Sequence, residues 1–209
     1  MIRVLSVFGT RPEAIKMAPV VQALQNAPNR FESLVCVSAQ HRRMLDQVLD
    51  VFGLKADHDL DLMVPGQSPA GITARVLERL PPLLQKIRPD LLLVQGDTMT
   101  SFAAAFAAYL ERIPSGHVEA GLRTGDRYQP FPEEMNRVLT TRLASIHFAP
   151  TAQARAALLK EGVPAADVHL TGNTVIDALL QVVRPDYRFR TPALAELDPD
   201  LRCGAARPR

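Results

Sequence analysis

The sequence of 209 residues predicts an α/β fold, with a Rossmann-like, mostly parallel sheet and helices on both of its faces. Short apolar runs of strand character alternate with amphipathic segments along the chain. Most runs end in small or polar residues, and a helical pattern follows. This alternation is typical of parallel strands joined by crossover helices.

The apolar runs predict buried strands over 2–8, 34–37, 91–94, 116–118, 146–148 and 168–170. The amphipathic segments predict helices near 12–26, 41–53, 70–88, 99–112, 133–144, 152–162 and 174–183. In segment 70–88 the apolar residues share one face, but Pro81 and Pro82 are expected to kink or split the helix.

Periodicity ends near residue 184. We therefore expect a Rossmann-like domain over 1–183 and an irregular tail over 184–209, with one short helix near 193–197.

The composition excludes several classes of protein. Hydrophobic residues make up 47% and charged residues 22%, as in ordinary globular proteins. A net charge of +2 and the lack of tryptophan argue against a nucleic-acid platform. Two distant cysteines form neither a disulfide framework nor a metal ribbon. No signal peptide and no apolar run of membrane-spanning length are found, so we expect a cytoplasmic protein.

The first predicted strand is followed by Gly9-Thr10-Arg11-Pro12-Glu13. Thr10 and Glu13 have the spacing of a capping box at the start of a helix. That interpretation does not explain Arg11 and Lys16. Two cations beside a helix N-terminus also suit a phosphate or another anion. From spacing alone, the structural and the functional interpretation are about even.

Three carboxylates follow strands or open a helix. Asp97 ends an apolar strand, where an N-cap is the ordinary role of an aspartate. Glu119 also ends a strand, but it precedes a turn at Gly121, so no helix requires it as a cap. Glu133 lies in the first turn of a helix, where Glu134 would complement the helix dipole equally well. Carboxyl groups close together in one cleft can have different pKa values, so that one can act as the acid and another as the base.

Other sites have weaker support. His117 and Glu119 lie on one face of a strand, but the remaining histidines are scattered, so we expect no metal site. The chain lacks a Gly-x-Gly-x-x-Gly fingerprint after a strand and lacks a Walker loop. These absences weaken nicotinamide-dependent oxidation and ATP hydrolysis without excluding either.

Several long stretches together resemble the bacterial non-hydrolysing UDP-N-acetylglucosamine 2-epimerases, from residue 2 to about residue 183. They are VFGTRPEAIKMAP (7–19), AQHR (39–42), MLDQ (44–47), GDT (96–98), GHVEAGLRTGD (116–126), PFPEE (130–134) and TGNTVIDAL (171–179). So many motifs in one order make the resemblance specific.

The resemblance implies one half of a glycosyltransferase-B-like fold of two domains, with the active site in the cleft between them. It implies interconversion of UDP-N-acetylglucosamine (UDP-GlcNAc) and UDP-N-acetylmannosamine (UDP-ManNAc) for polysaccharide synthesis. Asp97, Glu119 and Glu133 match the catalytic positions of the family. Arg11 and Lys16 match its substrate-binding positions.

Further implications of the resemblance concern an effector and partners. Gln40 and His41 match a segment that binds a second UDP-GlcNAc as an activator in some members. The full-length family is expected to form homodimers and to need no cofactor. Its route is elimination of UDP to a glycal, followed by re-addition that inverts carbon 2.

The sequence departs from the family at its end, where the expected second domain does not begin. We therefore expect a folded chain with little or no epimerase activity alone. Two alternatives stay open: a non-catalytic half that binds UDP-sugars, and one half of a split enzyme. A glycosyltransferase is a weaker alternative.

Overall fold

The computed structural model describes residues 1–38, 42–62, 64, 66–184 and 191. The effector positions Gln40 and His41 and the predicted helix near 193–197 lie outside the described residues.

Strands and helices alternate in the order that the sequence predicts, with one short strand in addition. The strands are β1 Ile2–Phe8, β2 Phe31–Val37, β3 His58–Asp59, β4 Leu91–Gln95, β5 Ser115–Val118, β6 Ile146–Ala149 and β7 Val168–Leu170. The helices are α1 Arg11–Gln25, α2 Arg42–Phe52, α3 Pro69–Ile87, α4 Met99–Leu110, α5 Glu133–Leu143, α6 Ala152–Lys160 and α7 Thr174–Val182. One 3₁₀ turn, Ala165–Asp167, precedes β7.

The seven described strands form one parallel sheet in the order β3-β2-β1-β4-β5-β6-β7. The chain moves outward from β1 to β3, then crosses back to β4 and moves outward in the other direction. The order therefore reverses between β1 and β4. In open α/β sheets, ligands bind at the carboxyl ends of the strands beside such a reversal.

Helices cover both faces of the sheet, because right-handed crossovers that step in opposite directions place their helices on opposite sides. On one face Val4 and Phe8 of β1 pack with Met17 of α1. On the other face Leu5 of β1 packs with Leu84 of α3. Alternate side chains of β1 therefore belong to two separate hydrophobic cores, one on each face of the sheet.

Helix α3 runs unbroken through its two prolines, so the prediction of a split was wrong, while the alternative of a kink stays a prediction. Leu80 and Leu84, on either side of Pro81 and Pro82, are completely buried in the core. Pro82 is exposed and Pro81 is half-buried. Burial of the two leucines stabilises the helix by more than the absent backbone N–H groups of the prolines destabilise it.

The strand prediction was wrong at two places. Strand β2 begins at Phe31, three residues before the predicted start, and pairs along its length with β1. Glu32 and Ser33 interrupt the apolar run, which is why the pattern missed this end. Strand β3 was not predicted, because its two residues, His58 and Asp59, have no apolar pattern.

Residues 1–178 form one compact unit, and the described residues from 179 onward belong to a second. The predicted boundary at 183/184 stays a prediction. Among the described helices, none combines the length and apolarity that crossing a bilayer requires.

Candidate functional site

The turn between β1 and α1 is fixed by a buried carboxylate. Glu13 Oε2 accepts hydrogen bonds from Gly9 N at 3.0 Å and Thr10 N at 2.7 Å, which confirms its capping role. Its Oε1 accepts from the Thr98 hydroxyl at 2.7 Å. Burial raises the pKa of Glu13, although these hydrogen bonds oppose the rise. Glu13 thus ties the end of β1 to the end of β4, across the reversal of strand order.

Gly9 in this turn lies too close to its neighbours for any side chain. A Cβ added at Gly9 would lie 1.8 Å from Ser38 Oγ and 3.2 Å from Thr100 Oγ1. The glycine therefore allows the β1, β2 and β4 ends to meet.

The two cations of this turn differ in their surroundings. Arg11 is exposed and forms no hydrogen bond or ion pair with the described part of the chain. Lys16 is half-buried, and its Nζ lies 2.6 Å from Glu119 Oε2. The structure therefore brings together Lys16 and Glu119, which are 103 residues apart in sequence.

Glu119 follows β5 and is the most constrained of the three predicted acids. Its Oε2 also accepts from Gln95 Nε2, and its Oε1 accepts from Asn173 Nδ2 at 3.1 Å. The Glu119 side chain is only 10% exposed. Its backbone has φ 66°, in the left-handed region that costs a residue with a Cβ about 1 kcal/mol or more. In this backbone conformation the Glu119 carboxylate lies at the carboxyl edge of the sheet, where it meets Lys16 and Asn173.

Asp97 does not cap α4, so the structural interpretation of this residue is wrong. The N-cap is Thr98, whose hydroxyl accepts from Ser101 N at 3.0 Å. The Asp97 carboxylate instead pairs with Arg137 of α5, with Nη2 2.6 Å and Nε 2.9 Å from Oδ2. Asn136 Nδ2 donates to the Asp97 carbonyl at 2.8 Å. Asp97 is thereby left free of the helix to which sequence reasoning assigned it.

Glu133 and Glu134 are not equivalent, although both lie in the first turn of α5. Glu133 is half-buried and forms no hydrogen bond or ion pair within the described residues. Glu134 is 3% exposed, and its Oε1 accepts from Thr124 N and Gly125 N. Burial would raise the pKa of Glu134, but these hydrogen bonds and Arg137 outweigh it and lower the pKa. Glu134 therefore holds the loop at Thr124 and Gly125 in place, whereas the Glu133 carboxylate has no described contact.

Arg137 connects the two acidic groups of this region. Its Nη1 lies 3.1 Å from Glu134 Oε2, while Nε and Nη2 face Asp97. Burial lowers the pKa of Arg137, but the hydrogen bond and charge of Asp97 outweigh burial and raise it. Arg137 therefore stays charged and balances part of the negative charge of Asp97 and Glu134.

His117 is not a metal ligand in this arrangement. It is completely buried, and its Nε2 lies 2.7 Å from the Gly96 carbonyl oxygen. Across the residues that the structure describes, no group of three or more histidine, cysteine or acidic side chains is placed to hold a metal ion.

The structure thus links Lys16 to Glu119 directly and links Asp97 to the helix that begins at Glu133. A Cβ added at Gly96, next to Asp97, would lie 3.8 Å from Glu119 Oε2. Arg11 is at the same edge of the sheet but touches none of the acids. The catalytic and binding roles of these residues stay predictions.

Sequence reasoning missed four members of the site: Gln95, Glu134, Arg137 and Asn173. Glu134 and Arg137 have the i, i+3 spacing of a helical ion pair, which was a usable signal. Gln95 and Asn173 gave no such signal, because only the folded sheet brings β4 and the end of β7 to Glu119.

The parallel sheet, with its strand order reversed between β1 and β4, defines a Rossmann-like α/β domain. The fold resembles that of a lipopolysaccharide outer core galactosyltransferase, with a TM-score of 0.59 over 82% of this chain. At 10% identity, that likeness concerns the fold alone.

Sequence comparison identifies the family. The family model described as UDP-N-acetylglucosamine 2-epimerase matches residues 22–198. The chain is 55% identical over 206 residues to the UDP-N-acetylglucosamine 2-epimerase of Escherichia coli K12, covering 96% of this chain and 54% of the relative. The chain belongs to the UDP-N-acetylglucosamine 2-epimerase family.

Solved structures agree with this assignment. The UDP-GlcNAc 2-epimerase from Neisseria meningitidis, bound to UDP-GlcNAc, matches with a TM-score of 0.84 and 51% identity. That match covers 94% of this chain and 50% of the Neisseria chain. The chain spans about half the length of the curated relatives it matches.

Proposed function

We propose that this chain is one half of an epimerase that interconverts UDP-GlcNAc and UDP-ManNAc. The observation that supports this most is the placement of Glu119, which Lys16 and Asn173 hold at the carboxyl edge of the sheet. The resemblance of the sequence motifs to this family and the UDP-GlcNAc bound by the Neisseria relative support the same substrate.

The proposed reaction explains why several acids are needed. Carbon 2 of the sugar has no adjacent carbonyl, so its proton is not acidic. In the proposed route a carboxylate takes the proton from carbon 2 while the bond from carbon 1 to the UDP oxygen breaks. A double bond forms between carbons 1 and 2, and UDP leaves. Protonation of carbon 2 from the opposite face, with return of UDP to carbon 1, completes the inversion.

The three predicted catalytic acids differ in whether they form an ion pair. Asp97 is paired with Arg137, and Glu119 with Lys16, whereas Glu133 has no such partner among the described residues. Negative charge at the site would stabilise a cation-like carbon 1, as in glycoside cleavage. We assign the acid and base steps to Asp97, Glu119 and Glu133 as a group.

The diphosphate of the substrate is assigned to Arg11 and Lys16, at the N-terminus of α1. Because Glu13 already accepts from the N–H of Thr10 at that terminus, the two cationic side chains would supply the main attraction for an anion. Because Lys16 already contacts Glu119 at 2.6 Å, a bound diphosphate would compete with this carboxylate for the ammonium group. Substrate binding would thereby release Glu119 for chemistry.

A complete site is proposed to require the half of the relatives that this chain does not cover. Charges arranged for catalysis act most strongly in a closed site from which water is excluded. With the cleft open on one side, we expect the chain alone to show little or no turnover. A cytoplasmic location, a homodimer in full-length members and the effector role of Gln40 and His41 also stay proposals.

The test compares this chain alone with a joined enzyme. The joined enzyme is the full 209-residue chain linked to the part of the Escherichia coli relative that lies beyond the match. Proton NMR in D₂O would follow UDP-GlcNAc, because epimerisation by elimination places deuterium on carbon 2. We expect deuterium incorporation and UDP-ManNAc with the joined enzyme, and little or none with the chain alone.

The full-length Escherichia coli relative is the positive control. A joined enzyme that is folded yet leaves carbon 2 protonated would overturn the proposed activity. Calorimetric binding of UDP-GlcNAc by the chain without turnover in the joined enzyme would instead support a non-catalytic binding half. Turnover on simple mixing of the two separate halves would support a split enzyme.

A further inference from the structure

His117 lies on β5, inside the sheet, and its imidazole contacts the turn that presents Asp97. Its Nε2 is 2.7 Å from the carbonyl oxygen of Gly96. A carbonyl can only accept a hydrogen bond, so Nε2 must bear the hydrogen. His117 Nδ1 is buried without a hydrogen-bond partner among the described residues. The imidazole therefore makes one directed hydrogen bond, and that bond ends on the residue before Asp97.

Gly96 is attached to β5 at both of its backbone polar groups. Its N–H donates to the Val118 carbonyl at 3.0 Å, and its carbonyl accepts from His117. Gly96 has φ 71°, so the chain turns sharply here, between the last residue of β4 and Asp97. The same turn faces Glu119, since an added Cβ at Gly96 would lie 3.8 Å from Glu119 Oε2.

We propose that His117 is a positioning residue, whose Nε2–H holds the Gly96 turn and thereby sets the place of Asp97 beside Glu119. This inference rests on the proposed function for its catalytic consequence, but the hydrogen bond can be tested without any activity. His117 touches neither of the acids, so its effect passes through the backbone of Gly96.

The surroundings of His117 keep the hydrogen on one nitrogen. Burial first, and then the neighbouring His147, Arg123 and Arg137, lower the pKa of His117 to about 4, against the opposing effect of the hydrogen bond to Gly96. The imidazole is therefore neutral near pH 7 and has a single N–H. A neutral donor suits this place, because a second N–H would find no acceptor among the described residues.

His147 provides a matched control in the neighbouring strand. It pairs in register with His117, is 2% exposed, and also has a buried Nδ1 without a described partner. Its backbone hydrogen bond involves Ala144, not the Gly96 turn. Changes at His117 and His147 thus disturb similar environments, but only the first should move Asp97.

The first test is NMR of the full chain, with His117→Gln, His117→Asn and His147→Asn. The amide of Gln reaches about as far as Nε2 and should keep the bond, whereas Asn is too short. We expect the Nε2–H tautomer in the wild type between pH 6 and 8. We also expect the Gly96 and Asp97 amide signals to shift in His117→Asn, and to stay near their wild-type positions in His117→Gln and His147→Asn. An Nδ1–H tautomer, or unmoved amide signals in folded His117→Asn, would overturn the proposal.

The second test uses the same variants in the joined enzyme. Misplacing a reacting group by about 1 Å costs roughly 100-fold, so His117→Asn should lower kcat by that order while KM changes little. His117→Gln and His147→Asn should stay within about 3-fold of the wild type. An unchanged kcat in His117→Asn would overturn the catalytic part. If the wild-type joined enzyme shows no turnover, the proposed function has failed, and the NMR result alone decides whether His117 holds the turn.

Discussion

Arg137 donates two hydrogen bonds to a single oxygen of Asp97, from Nε at 2.9 Å and from Nη2 at 2.6 Å. The two residues lie on α5 and directly after β4, 40 positions apart in sequence. Arg137 also reaches Glu134 through Nη1 at 3.1 Å. One guanidinium therefore sets both the charge and the direction of a predicted catalytic acid.

Replacement of Arg137 should reduce turnover of the joined enzyme without unfolding it. Arg137→Met removes the charge and both donors, and we expect kcat to fall about 100-fold, because Asp97 loses its orientation. Arg137→Lys keeps the charge but cannot reproduce the planar pair of donors, so an intermediate loss of about 10-fold is expected. Deuterium incorporation at carbon 2 measures both.

Arg142 is the control for that series, since it lies on the same helix. It is exposed, and its one hydrogen bond to the described part of the chain is donated to the Glu161 carbonyl at 3.0 Å. Arg142→Met should leave kcat within about 2-fold. Equal losses in the Arg137 and Arg142 variants would show that α5 is merely destabilised and that Asp97 needs no orienting partner.

Glu133 and Glu134 should separate activity from stability. Glu134→Gln weakens the hydrogen bonds from Thr124 N and Gly125 N and the pair with Arg137, at a buried position. We expect the free energy of unfolding to fall by about 1–3 kcal/mol. Glu133→Gln removes no described contact, so its unfolding should match the wild type while kcat of the joined enzyme falls by orders of magnitude.

Urea denaturation of the full chain and NMR assays of the joined enzyme measure the two effects. The reverse pattern, with a stable Glu134→Gln and an unstable Glu133→Gln, would exchange the roles assigned to these neighbours.

Acid should destabilise the chain through His117. Its pKa is lowered from 6.5 to about 4 in the folded chain, so only the unfolded chain binds this proton between those values. The free energy of unfolding should therefore fall as pH decreases from 6.5 to about 4, by about 3 kcal/mol from this residue. His147, whose pKa is also lowered mainly by burial, acts in the same direction.

His117→Gln isolates that contribution, because the glutamine side chain does not titrate. The difference in unfolding free energy between wild type and His117→Gln should diminish steadily on acidification below pH 6.5. A difference that stays constant down to pH 4 would mean that the folded chain protonates His117 as readily as the unfolded chain.

Gly121 and Gly125 should respond very differently to alanine. Both have positive φ, 90° and 82°, so each substitution brings backbone strain of about 1 kcal/mol. At Gly121 the new Cβ would also lie 2.3 Å from the Ala154 carbonyl oxygen, whereas at Gly125 it would meet nothing within 4 Å. Gly121→Ala should lower the free energy of unfolding by more than about 3 kcal/mol, and Gly125→Ala by about 1.

Thermal and urea unfolding of the full chain would rank these two variants. Similar losses for both would mean that α6 moves away from Gly121 and relieves the contact.

The fold could be predicted well because most strands and helices show their hydrophobic pattern within their own short segment of sequence. Most strands are continuous apolar runs, and parallel order follows from the helices between them. The two misses have different causes. Strand β3 is too short to show a pattern, and α3 continues through Pro81 and Pro82 because distant core residues hold both of its halves.

The site was predictable only in part. Asp97, Glu119 and Glu133 stood out by position and by resemblance. The contacts of these acids could not be predicted, since Lys16 meets Glu119 and Arg137 meets Asp97 across separate strands and helices. The strained backbone of Glu119 also has no signature in the sequence, because a turn before Ala120 and Gly121 is compatible with several conformations.

The sheet ends in two very short strands, β3 with two residues and β7 with three. An outer strand offers its open N–H and C=O groups as a template on which a foreign strand can assemble. At the β7 side that template is three residues long. At the other side β3 pairs only with Cys36 and Val37, so among the described residues the beginning of β2 has no strand on its outer side. We therefore expect that any foreign strand would add at the β2 side and not at β7.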